Sequence, residues 1–154
     1  MAETKGHSAM DIDQTPAARY RGRTMGFYLA FNGLLLVAVS AGSWFFAARA
    51  NSHGIAPNTS LGFRSQHTLA SLHGWYVAQR AGFHFAAIAA TVITAAVFAI
   101  VAVALMRGLK PIWLMILPVV GQIAVAGCFI IAGHRADQAA LTVETPPSHS
   151  AAPG

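Results

Sequence analysis

The chain has 154 residues, of which 55% are hydrophobic and 10% charged, with a formal net charge of +5 and a mean hydropathy of +0.53. No Asp or Glu stands between Asp13 and Asp137. This composition excludes a water-soluble globular domain, whose surface needs charges of both signs, and it strips the middle of the chain of the usual acid and base residues.

Residues 1–24 mix Lys5, Arg19, Arg21 and Arg23 with Glu3, Asp11 and Asp13, contain Pro16 and show no apolar period, which reads as a flexible tail. Met25–Ala48 follows as 24 residues without a charge. A signal peptide has a core of only ~7–15 residues near the N-terminus. This run is longer and begins after a polar segment, so an uncleaved membrane span is expected. Two further uncharged runs, Ala81–Met106 and Ile112–Gly133, hold 26 and 22 residues. Each exceeds the roughly 20 residues that cross about 30 Å of hydrocarbon. The fold class is therefore all-α, a three-span membrane domain over residues 25–135 with a loop at 49–80. Residues 136–154, with Thr145-Pro146-Pro147-Ser148, read as a disordered C-terminal tail.

Within the loop, Pro57-Asn58 and Gly62 are turn chemistry, and Thr68 is a candidate N-cap for a helix starting at Leu69. From Leu69 to Met106 only Gly74 and Gly82 interrupt good helix formers. Those 38 residues would measure about 57 Å, nearly twice the hydrocarbon. The first turns are thus expected to form an interfacial helix that bends near Gly82, with Gln79 and Arg80 reaching headgroups.

The N-tail and the Arg107–Lys110 turn carry six basic residues, against four on the other side. That bias places the N-terminus in the cytoplasm. Trp44, Trp75, Tyr76, Tyr28 and Trp113 fall near span ends, where membrane anchoring is the expected role. Small residues at four-residue spacing, Ala86, Ala90 and Thr94 on the second span and Ala38 and Gly42 on the first, offer ridges for close helix packing. Asn32 and Gln122 are mid-span polar residues suited to bonding across a helix interface, and Pro118 is placed to bend the third span. Cys128 reads as a small packing residue.

No pair among the seven His has the three- or four-residue spacing that puts two metal ligands on one helical face. A nucleophile would lack a carboxylate to orient its base, and proton transport would lack a buried Asp or Glu. The expectation is a non-enzymatic protein without cofactor or metal, and the singly scattered basic residues point to lipid headgroups rather than nucleic acid. Arg64, beside Gly62, is expected chiefly to close the loop through paired hydrogen bonds, with capture of a ligand as the other reading.

The order Pro57-Asn58, Gly62-Phe63-Arg64, Thr68-Leu69-Ala70-Ser71, Trp75 and Ala78-Gln79-Arg80, set between apolar spans, resembles the SdpI family of bacterial membrane proteins. Gln79 departs from the family pattern, which leads one to expect His before the Arg. The resemblance implies immunity to a secreted killing peptide as one role, and it points to Asn58, Gly62, Arg64, Thr68, Trp75 and Arg80 as contacts to a partner or to headgroups. The sequence reading as a whole is a protein of the bacterial cytoplasmic membrane that associates with other integral membrane proteins and with lipids. It would serve as an accessory subunit, for example of a respiratory assembly, or as an SdpI-like immunity factor. A homo-oligomeric transporter or channel unit is the alternative.

Overall fold

The computed structural model describes residues 16–57 and 60–144 of the chain. These form four helices, α1 (Pro16–Asn51), α2 (Gln66–Ala70), α3 (Leu72–Met106) and α4 (Pro111–Glu144), with no strand among the described residues. Three of them are long and apolar enough to cross a membrane. The protein is an all-α, three-span membrane protein, and α2 lies in the connection between the first and second spans.

Helix ends follow from local sequence. The backbone N–H of Gly54 donates to the carbonyl of Arg49 at 2.7 Å and that of His53 to Ala50 at 3.3 Å, the paired bonds of a Schellman stop to α1. His53 occupies its left-handed position, with φ 56°, where glycine is usual. The end of α3 repeats the arrangement with Gly108 at φ 61°, Gly108 N–H bonding Leu105 and Leu109 N–H bonding Ala104. Pro111 then opens α4 at the first helical position, where its missing N–H costs nothing.

Three boundaries differ from expectation. α1 starts at Pro16, so the segment read as tail is helical from there, and residues 1–15 lie outside the described part. α4 runs on to Glu144 through residues read as disordered, because Ala136 and Ala140 are fully buried against Ala78 of α3. The expected single helix from Leu69 is two helices. Ser65, not Thr68, is the N-cap of α2, and Thr68 completes a reciprocal capping box from the third helical position. Ser71 is extended, at φ −145° and ψ 153°, and its Oγ accepts from Gly74 N–H at 2.9 Å to start α3 afresh.

α3 and α4 form an antiparallel pair with the most extensive packing, and α1 lies mainly on α3. Ala86, Ala90 and Thr94 are buried along α3, and the Ser40 and Thr94 hydroxyls meet at 2.9 Å between α1 and α3. Ala38 is exposed and so lies off this seam, while Gly42 is half-buried with open space where a Cβ would stand. Deeper in the bundle Gln122 Nε2 donates to Asn32 Oδ1 at 2.7 Å, joining the two mid-span polar residues to each other. The Tyr28 hydroxyl donates to the Met115 carbonyl at 2.7 Å, one turn before Pro118. Pro118 has no N–H for the Leu114 carbonyl, and Tyr28 binds the adjacent carbonyl, so it ties α1 to α4 at the turn that the proline weakens.

Candidate functional site

The connection between α1 and α3 folds back over one end of the bundle as a cap, fixed at three places. The first is Trp75, fully buried, whose Nε1 donates to the Ile55 carbonyl at 2.7 Å. Its neighbours Ala47, Ala50 and Phe83 make the indole part of a core cluster that joins α1, the cap and α3. Trp75 therefore holds the cap from inside, in contrast to the membrane-anchoring role expected of it.

Gln79 is the second. Its side chain is fully buried and its amide closes on one residue of the cap, Oε1 accepting from Phe63 N–H at 2.9 Å and Nε2 donating to the Phe63 carbonyl at 2.8 Å. A terminal amide offers both a donor and an acceptor, so it serves an isolated backbone residue as a neighbouring strand would. Gly62 is required beside it. At φ 113° its backbone is in the region that favours glycine, and a Cβ there would lie 2.6 Å from Gln79 Oε1. Gly82 has a matching use. α3 continues through it without interruption, and its missing Cβ leaves room for the Phe63 ring, which would be 2.5 Å away. That ring continues an aromatic row, with Phe63–Phe83 centroids at 4.9 Å and Phe83–Phe46 at 5.4 Å.

The third fixing point is Asp137 on α4, which accepts hydrogen bonds from Ser65 Oγ and lies 3.1 Å from His67 Nδ1. The uncharged part of α4 ends at Gly133, so Asp137 stands beyond the membrane-crossing stretch. The bonds from Ser65 and then His67 hold its carboxyl below the usual 3.8, outweighing the opposing effect of partial burial. Ser, His and Asp meet here without the order of a hydrolytic triad. In a triad the imidazole lies between the hydroxyl and the carboxylate, whereas here both side chains bind the carboxylate and Ser65 Oγ also accepts from Thr68 N–H at 3.1 Å. The arrangement ties helix to helix. Among the described residues no group of three His, Cys, Asp or Glu is placed to hold a metal ion.

Of the other residues singled out from the sequence, Thr68 is buried within the capping box and Arg64 is exposed on the rim of a small cavity next to His134 and Asp137. Arg80 is exposed, with Nη2 at 3.4 Å from the Asn51 carbonyl, and Asn58 lies outside the described residues. The closing bonds at Phe63 belong to Gln79, which sequence reasoning assigned to headgroups. The roles of Gln79 and Asp137 in the cap were not legible because their partners are 16 and about 70 positions away. The one sequence clue was the unusual concentration of turn residues, which implies that something must hold the turn. Compared with protein-family models, with curated proteins and with solved structures, the chain matches none.

Proposed function

We propose that the protein acts without catalysis, by association with another integral membrane protein in the bacterial cytoplasmic membrane. The cap is its recognition surface. It would be an accessory subunit of a larger membrane complex or an immunity factor of the kind the SdpI resemblance implies. One observation carries this reading: Leu61, Leu69 and Leu72 are 51%, 48% and 60% exposed on a cap that buried polar bonds hold in a fixed shape. Loose loops adapt, but a surface that presents apolar side chains from a locked backbone is preorganised for a partner.

Photo-crosslinking from position 69 or 72 in native membranes, followed by mild-detergent purification and mass spectrometry, tests it. A foreign membrane protein recovered in stoichiometric amount is expected. Crosslinks solely between copies of the chain, in an oligomer that passes ions or solutes, would replace this reading with the transporter alternative.

A further inference from the structure

On the opposite face of α3 from the Phe63 ring, α3 and α4 border a groove of ≈ 740 Å³ that plays no part in holding the cap. Arg80 and His84 enter it from α3 and Arg135 from α4. The uncharged run of α3 begins one residue after Arg80 and that of α4 ends two residues before Arg135, so the antiparallel helices bring both guanidinium groups to the same edge of the membrane. Below them the groove continues into the span over Ala81, Phe85 and Ile88. The Arg135 guanidinium lies 4.6 Å over the Phe85 ring, an arrangement that covers its face and leaves its N–H edge available.

Nothing in the described protein neutralises this pair. Asp137 is the one acidic residue whose side chain is described, and it is engaged by Ser65 and His67. Two cations at the polar end and an apolar floor running into the hydrocarbon have the polarity of a single amphiphile. We propose that the groove is a binding site for an anionic phospholipid, its phosphate held by Arg80 and Arg135 and the first part of an acyl chain lying over Phe85 and Ile88. Guanidinium groups match phosphate oxygens in paired geometry. A choline headgroup would add a third positive charge beside them, so phosphatidylglycerol is preferred to phosphatidylcholine.

The test is native mass spectrometry of the full chain, released from detergent containing equal amounts of the two lipids. One retained phosphatidylglycerol, favoured by roughly tenfold or more, is expected from two surface arginines. Arg80→Gln with Arg135→Gln should reduce its retention to that of phosphatidylcholine with helical circular dichroism unchanged, since both residues are exposed. Ile88→Trp, which fills the floor and keeps both charges, should also release the lipid. Equal retention of the two lipids by the unaltered protein would overturn the proposal. So would an equal loss in Arg107→Gln with Lys110→Gln at the far end of the bundle, which would mean general charge attraction. Displacement by inorganic phosphate with no effect of Ile88→Trp would identify a free-anion site and overturn it as well.

Discussion

Two backbone atoms of Phe63 depend on one side chain. Replacing Gln79 with Leu leaves a partly buried N–H and C=O of Phe63 without their partner, at up to about 1–3 kcal/mol each. The thermal midpoint in detergent should fall clearly, and Gln79→Glu should lower it as well, most at a pH where the carboxylate is ionised, because a fully buried charge would then face the Phe63 carbonyl. Trp75→Phe deletes the bond to Ile55 and also removes ring volume from a fully buried site. Its expected cost is about 1–3 kcal/mol for the unpaired carbonyl, with a cavity cost added, by the same measurement. Gly62→Ala combines an unfavourable backbone with a steric clash against Gln79, so it should destabilise the cap by more than about 1 kcal/mol. Gly62 was legible as turn chemistry, but the partners of Gln79 and Trp75 could not be read from the residues themselves. A Gln next to an Arg at the mouth of an apolar run has the composition of a headgroup contact, and the chain gives no local sign that Phe63 returns to it.

At the level of helices, Ser65 and Ser71 illustrate what local sequence does and does not say. Neither Ser65-Gln66-His67-Thr68 nor Ser71-Leu72-His73-Gly74 ends in the Glu or Gln that marks a capping box in sequence, so Thr68, directly before the apolar Leu69, is the stronger local signal. The structure caps at the two serines instead, with Thr68 already inside α2. Ser71→Ala should weaken the start of α3 by about 1 kcal/mol, seen as faster hydrogen exchange in its first turn. The tie between α2 and α4 carries a pH dependence. Asp137 titrates lower folded than unfolded, so its contribution is complete above the unfolded value of 3.8 and disappears as pH falls through the lower folded one. Trp75 fluorescence, read in a Trp44→Phe, Trp113→Phe background, should report loosening of the cap on acidification from about pH 5 to about pH 2. Asp137→Asn should flatten that response.

For the molecule as a whole, the number of spans was legible from composition alone, because a chain in lipid has few ways other than a helix to satisfy its backbone, and a long uncharged run is the visible result. Helix pairing was less legible. The small residues Ala86, Ala90 and Thr94 lie in the seam and Ala38 does not, since a ridge states that close approach is possible without naming the neighbour. Asn32 and Gln122 similarly announced a polar contact in the membrane but not that they share one bond. A double-mutant cycle with Asn32→Leu and Gln122→Leu should give a coupling of about 0.6 kcal/mol, up to about 1.7, in a reversible unfolding assay in bicelles.

The position of Asp137 in the chain also sets a timetable. Ser65 and His67 leave the ribosome well before the carboxylate that receives them, whereas Gln79 emerges only 16 residues after Phe63. Translation at ~5–20 residues per second therefore separates two closures by several seconds. A nascent chain can gather its turn around Gln79 early, but the final fastening waits for the last helix to be inserted, so a copy lacking that helix leaves its surface unfinished.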